Sequence, residues 1–359
     1  MSDQWRDEAG EVRDEDSLDL PRLFAYLRGR LPGLAGDVEL RQFPAGASNL
    51  TYLLQAGGRE LVLRMPPSGT KAETAHDMAR EFRLLKRLRP LFPYCPTPVL
   101  VCEDVDVLGA PFFVMERLRG VILRRDPPPG FDYSPAAARM LCENLLRTLA
   151  ELHRLDWLSA GLGDLGRPQG YVERQVLGWS ERYRRARTPD VPDGEALMAW
   201  VDARRPADAA RTAVIHNDYR FDNVVLDPTH PTAIVGVLDW EMATLGDPLM
   251  DLGCALAYWV EADDPPALQR LRVQPTHLAG MLTRREVVET YAKLTGTAAR
   301  DFSFYETFGL FRLAVIAQQI YYRFAHGETS SPRARALGAF VPVLLAEAQR
   351  RIERPTWST

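Results

Sequence analysis

Apolar residues in the first third of the chain recur every second position in short runs broken by turn residues. In TYLLQAGGRELVLRMPP two β-rich stretches flank Gly57-Gly58, which predicts a hairpin. The period then lengthens: in AHDMAREFRLLKRLRP, Met78, Phe82, Leu85 and Leu88 share one helical face and Pro90 ends the run. VLVCEDV and APFFVMERL predict two more strands, so the region from Val38 to about Met115 reads β, β, α, β, β. Past Gly120 the pattern turns helical. Ser134 is placed to cap a helix beginning at Pro135, with Leu141, Leu145, Leu149 and Leu152 in one stripe. The proline-rich RRDPPPGFD just ahead reads as a junction. Helical period returns over 303–325, with Phe304, Phe308, Phe311 and Val315 inward, and over 332–352, with Phe340, Leu344 and Ala348 inward. Aromatic stripes of this kind predict core packing, and no internal repeat or low-complexity tract is visible.

Composition supports two lobes. The 359 residues are 46% apolar, enough for a large core, and 44 Lys+Arg against 48 Asp+Glu leave a formal charge of only -4. That balance excludes disorder throughout and a generic nucleic-acid coater. Residues 1–20 hold eight acidic and two basic residues, which reads as a flexible, solvated leader. Cys95, Cys102, Cys142 and Cys254 are too scattered for a zinc site or disulfide frame and read as reduced thiols. With no signal-peptide pattern and no apolar run of membrane-spanning length, a soluble, cytoplasmic protein without membrane association is expected.

The candidate chemistry is concentrated in VIHNDYRFDNVVLDPTHPTAIVGVLDWEMATLGDPLMDLG. His216, Asp218, Asn223, Asp239, Asp247 and Asp251 stand here beside strand-like runs. Carboxylates leaving water need partners or a metal. Any one of the six could be an ordinary turn cap, but the whole set together points to a reaction site.

His216-Asn217-Asp218-Tyr219-Arg220-Phe221-Asp222-Asn223 fits the H-x-D-x-x-x-x-N catalytic loop of the protein-kinase-like superfamily. With Leu238-Asp239-Trp240-Glu241, Gly246-Asp247-Pro248 and Asp251-Leu252, the chain from about 38 to 345 resembles the aminoglycoside/choline phosphotransferase family. The resemblance implies an α+β, two-lobed protein-kinase-like fold. A β-rich nucleotide-binding lobe with one main helix would occupy 21–120, and a mostly helical lobe with the catalytic loop and acceptor site 121–359.

It also implies roles. ATP arrives with Mg²⁺, a hard ion suited to the Asp239 carboxylate and the Asn223 amide oxygen. Asp218 would take the proton of an acceptor hydroxyl and orient it. His216 would either order the loop by a hydrogen bond or bind metal, the first fitting kinase-like loops better. Asp251 would tie down the loop backbone, Asp247 would meet substrate or metal, and Glu241 would bind the metal or support its ligands. In the first lobe, Phe43 to Tyr52 takes the place of the phosphate loop without its G-x-G-x-x-G glycines, leaving Ser48 and Asn49 as phosphate donors. Arg64 in LVLR stands where the family usually has lysine, with Glu81 as its carboxylate partner. This Leu-Arg strand resembles the subgroup of kinase-like modules associated with acyl-CoA dehydrogenases. Met115, Glu116 and Leu118 would border the adenine, with Leu226 beneath the ring.

Charge bears on the acceptor. Residues 255–359 carry 10 acidic and 13 basic residues, and 170–211 carry seven and eight. A polycationic aminoglycoside wants an acidic cleft, whereas a neutral or anionic hydroxyl compound such as a hydroxyacyl-CoA suits this balance. The expected activity is ATP- and Mg²⁺-dependent phosphate transfer to a small-molecule hydroxyl. An aminoglycoside-type antibiotic kinase, a non-catalytic nucleotide-binding module and a metal-dependent phosphohydrolase are the alternatives. Trp240-Glu241 in place of Phe-Gly, and the lack of an Ala-Pro-Glu segment, argue against a protein kinase.

Overall fold

The structure is a computed structural model that describes residues 8–31, 34, 38–43, 49–67, 77–128, 130–131, 133–207, 211–297, 301–354 and 357. Along the chain run α1 (Leu20–Arg28), β1 (Glu39–Gln42), β2 (Leu50–Ala56), β3 (Arg59–Met65), α2 (Met78–Leu88), β4 (Pro98–Cys102), α3 (Val105–Leu108) and β5 (Phe112–Glu116). There follow α4 (Pro135–Arg154), α5 (Tyr171–Ala186), α6 (Glu195–Ala203), β6 (Ala213–Ile215), β7 (Val224–Leu226), β8 (Ile234–Val237) and β9 (Thr244–Gly246). The remainder is helical: α7 (Pro248–Leu256), α8 (Pro266–Leu271), α9 (Arg284–Thr295), α10 (Ser303–Ala325), α11 (Pro332–Gly338) and α12 (Val341–Glu353). This is the expected α+β, two-lobed kinase-like fold. No helix among the described residues is long and apolar enough to cross a membrane.

The chain divides into two compact units, the first comprising Met1–Ile122, Leu158–Leu162 and Val224–Glu241. Its sheet is antiparallel in the order β1-β2-β3-β5-β4. Gly57 and Gly58, with φ of 55° and 76°, form the two-residue turn of the β2–β3 hairpin, a geometry needing positive φ at both positions. The Asp77 carboxylate caps α2 by accepting from the Arg80 amide, and Phe82 meets Phe113 of β5 edge to face, ring centroids 6.4 Å apart.

Two expectations need correction here. The acidic leader is not wholly detached: Gly10 and Gln42 exchange both backbone hydrogen bonds at 2.9 Å, and the Tyr52 hydroxyl donates to the Asp16 carbonyl. Its charges nevertheless stay in water, since Glu8, Glu11, Asp14, Glu15 and Asp19 are exposed. The lobe boundary is also not a single cut near residue 120. The β7–β8 hairpin belongs to the first unit, because Val121 and Leu226 exchange backbone hydrogen bonds and the buried Trp240 ring meets Phe92 at 5.8 Å. Gly120 permits this: a Cβ there would stand 2.3 Å from the Leu226 carbonyl oxygen.

The second unit comprises Leu123–Trp157, Gly163–Asn223 and Met242–Thr359, and its core gathers around α10. Ser134 caps α4 as expected, and Leu141, Leu145, Leu149 and Leu152 are buried. The helix expected over 332–352 is two, α11 and α12: Pro342, lacking an amide hydrogen, opens the second. Phe340 falls at the break and is only half-buried, whereas Leu344 and Ala348 are buried. α7 lies backbone to backbone against α10, a Cβ on Gly309 falling 2.1 Å from the Gly253 carbonyl oxygen. The approach falls two residues after Asp251 on α7.

Candidate active site

In the second unit, β6 delivers the chain to His216, and a 3-10 turn over Phe221–Asn223 ends the loop. The fully buried Asp251 carboxylate accepts from the His216 and Asn217 amides, each at 2.7 Å, as its sequence position suggests. Asn217 needs that support, for its φ is 65°. Behind Asp251 stands a residue the sequence did not single out: the His153 ring bonds Asp251 at 3.0 Å through Nε2 and the Tyr291 hydroxyl at 2.6 Å through Nδ1. Burial alone would raise the Asp251 carboxyl, but the His153 ring, followed by His216, holds it below the usual carboxylate range.

The His216 Nδ1 accepts from the Asp218 amide at 3.3 Å, so the ring orders the loop. Asn223 Nδ2 donates to the Asp218 carbonyl at 2.8 Å and to its Oδ2 at 2.9 Å. The loop thus holds its carboxylate and its amide together, with the amide oxygen as the remaining acceptor end. Arg220 lies 3.4 Å from Asp218 and 2.8 Å from Asp222. Burial, opposed by Arg220 and aided by the Asp218 charge, pushes the Asp222 carboxyl up to about 6. Asp247 caps α7, accepting from the Leu249 amide at 2.8 Å and the Tyr305 hydroxyl at 3.2 Å. Both its oxygens are occupied in this way, and it is 2% exposed, which is the environment of a structural cap.

In the first unit, Arg64 on β3 is 7% exposed and forks between two carboxylates, Nη1 to Glu81 and Nη2 to Asp239, each at 2.8 Å. Burial works against its charge, yet Glu81, Asp239 and Glu241 outweigh burial and raise its pKa. Asp239 takes φ of 65°, and the next residue anchors it: Trp240 is buried, its indole donating to the Val237 carbonyl at 2.9 Å and its amide to Glu81 at 3.3 Å. Asn49 Nδ2 donates to Glu241 at 2.5 Å, and the Arg80 guanidinium donates to the Glu241 carbonyl at 3.1 Å. Asn49, Arg64, Glu81, Asp239 and Glu241 are therefore brought together. Ser48 lies outside the described residues.

Met115 and Glu116 end β5, paired with Val62 and Leu61, and the Glu116 amide donates to the Thr97 carbonyl at 2.8 Å. Leu118 packs against Gly236 of β8, where a Cβ would fall 2.4 Å from its Cδ1. Leu226 is buried on β7 beside Val121. The segment after β5 is thus joined to the β7–β8 hairpin within one unit.

A sequence model of the phosphotransferase enzyme family matches residues 39–287. Acyl-CoA dehydrogenase family member 10 of Mus musculus is 35% identical over 330 residues, which cover 91% of this chain and 30% of that protein. Family member 11 of Rattus norvegicus is 33% identical over 356 residues, covering 97% and 45%. The chain therefore spans less than half the length of either relative. A crystal structure from Ralstonia eutropha JMP134, provisionally named an aminoglycoside phosphotransferase, is 30% identical with a TM-score of 0.78, covering 94% of this chain and 99% of that one.

Proposed function

The chain belongs to the phosphotransferase enzyme family, and on that premise we propose that it transfers the γ-phosphate of ATP, with Mg²⁺, to a hydroxyl of a small molecule, a hydroxyacyl-CoA foremost. The observation that carries this reading is the Asp218–Asn223 pair on a loop whose backbone is held by Asp251. A dead site has no chemical use for a carboxylate and an amide held together this way.

The donor set fits the ion: the Asp239 carboxylate and the Asn223 amide oxygen are hard oxygen ligands of the kind Mg²⁺ prefers. When bound, the ion would neutralise phosphate charge and polarise the transferred group. Asp218 accepts the hydroxyl proton as the acceptor oxygen bonds to the γ-phosphorus and the bond to the departing ADP oxygen breaks. Because the transition state is loose, Asp218 acts chiefly by orienting the hydroxyl. Arg64, forked by Glu81, supplies fixed positive charge for the phosphates where the family usually places lysine, and Asn49, with Ser48, offers hydrogen-bond donors to them. Met115, Glu116 and Leu118 border the adenine, and Leu226 supports its face.

The acceptor class follows from charge and kinship. The 255–359 segment is basic by three, which disfavours a polycation, and the relatives that share this module are named acyl-CoA dehydrogenase family members. The test is an acceptor screen read as acceptor-dependent ADP release, containing hydroxyacyl-CoA esters, free hydroxy acids and kanamycin. Turnover with hydroxyacyl-CoA is expected. Fast phosphorylation of kanamycin, with none of any hydroxyacyl-CoA, would reverse the assignment.

A further inference from the structure

Arg312 on α10 is 5% exposed, and a guanidinium stays charged wherever it is placed. Other enclosed arginines of the second unit are neutralised by carboxylates: Arg284 by Asp264 at 2.6 Å, and Arg351 by Glu347 at 2.6 Å and Glu306 at 3.2 Å. Arg312 forms no ion pair with a carboxylate among the described residues. It lies over the Trp179 ring, 5.1 Å from its centroid, beside the Cys254 thiol. Cys254 provides no counter-charge, because burial pushes its thiol up to about 11. Nor does Tyr258, whose hydroxyl is likewise held neutral by burial.

The surroundings add further positive charge. Arg182 lies over the same indole at 4.6 Å, and Arg220 stands over the Tyr258 ring at 4.7 Å. Arg220 is committed to Asp222 and Asp218, whereas Arg312 feels Asp218 only at longer range. Its nitrogens are not among the sealed, unpartnered atoms of the interior, so the guanidinium edge reaches solvent. A buried cation that keeps an edge open and lacks a counter-ion is a binding group for an anionic or strongly dipolar oxygen.

We infer that Arg312, with Arg182 across Trp179, forms the acceptor's acyl-oxygen subsite, taking the carboxylate of a hydroxy acid or the thioester carbonyl of its CoA ester. The inference rests on the phosphotransferase reading for the meaning of the bound acid, but not for its binding. Arg312 is the specificity determinant, and Asp218 receives the hydroxyl at the other end of the same molecule.

The test compares wild type with Arg312→Gln, Arg312→Lys and Arg182→Gln. The probes are 3-hydroxybutyrate, its CoA ester and the neutral 1,3-butanediol, read by calorimetric titration and by steady-state phosphate transfer. Loss of a charge-assisted hydrogen bond predicts binding of acid and ester weakened about tenfold or more in Arg312→Gln. KM should rise by the same factor with kcat nearly constant, butanediol should be unaffected, and Arg312→Lys should restore part of the affinity. A larger loss for the free acid identifies the carboxylate as the group held, and a larger loss for the ester identifies the thioester carbonyl. Arg182→Gln, on an exposed position, gives a smaller loss of the same sign and covers the case in which Arg312→Gln fails to fold. Equal weakening of all three probes, or no change for acid and ester, overturns the inference, as does a wild type that binds neither. Wild type that binds acid or ester at Arg312 yet transfers phosphate to no acceptor overturns the function reading alone.

Discussion

Arg64 and Asp239 meet at 2.8 Å although 175 residues separate them in the chain, and the same guanidinium holds Glu81 at 2.8 Å. Glu81 is 2% exposed, so its charge has little recourse to water. The bridge fixes a β3 cation, an α2 carboxylate and the Asp239 turn as one unit, and the left-handed backbone at Asp239 is retained by contacts on both sides.

Arg64→Met strands the enclosed Glu81 carboxylate and is expected to cost about 3–5 kcal/mol in urea unfolding. Arg64→Lys keeps the charge but loses the planar guanidinium fork, so the protein should fold while the KM for ATP rises roughly tenfold. An unchanged KM in the lysine variant would show that the guanidinium geometry is dispensable.

Asp218→Asn removes the proton acceptor and retains the shape, including an oxygen to accept from Asn223. Acceptor-dependent ADP release should drop about 10²- to 10⁴-fold, while Mg·ATP titration gives nearly the wild-type affinity. Transfer at the wild-type rate would remove Asp218 from its role.

Asp222 predicts a pH dependence of stability. Its folded carboxyl titrates at about 6 against an ordinary 3.8, so the folded state holds the proton more tightly. The associated stability is fully present below pH 3.8 and lost as pH rises through about 6, on the order of 2–3 kcal/mol. Chemical denaturation at pH 4 and pH 7.5 should show this loss in wild type and not in Asp222→Asn.

Asp251→Ala leaves the buried His216 and Asn217 amides without their acceptor, at about 1–3 kcal/mol each. Thermal unfolding should register the destabilisation, and phosphate transfer should fall although Asp251 takes no part in the bond changes. His153→Phe, which keeps the ring and loses both hydrogen bonds, should show the same pattern at smaller amplitude.

The parts legible in the sequence were those that local spacing encodes. The Gly57-Gly58 turn, the Ser134 cap and the eight-residue span from His216 to Asn223 each declare themselves within a few positions. Arg64 and Glu81 were placed through family resemblance, since a strand arginine and a helix glutamate 17 residues on carry no mutual signal of their own. His153, Tyr291 and Arg312 were missed for a related reason: His153 finds Tyr291 across 138 residues, and each reads in its own helix as an ordinary member. The pairing of Gly10 with Gln42 went unseen because it depends on backbone groups in a polar stretch without alternating hydrophobicity. At Trp240 the sequence offered only the absence of a Phe-Gly pair. The indole's work, filling the space beside Phe92 and holding the Asp239 turn, depends on tertiary packing.

The membership of Val224–Glu241 in the first unit has a practical consequence for dissecting the molecule. A fragment ending at Ile122 would expose the edge at Val121 that Leu226 covers, and would lose the Trp240 ring from beside Phe92. The complementary fragment would carry the β7–β8 ribbon without the Val121 edge and the Phe92 ring that it meets in the first unit, and two-stranded ribbons alone are marginal in water. A self-sufficient first unit therefore has to be built by grafting the 224–241 ribbon onto residues 1–122 through a designed linker, and it brings Asp239 with it but leaves Asn223 behind.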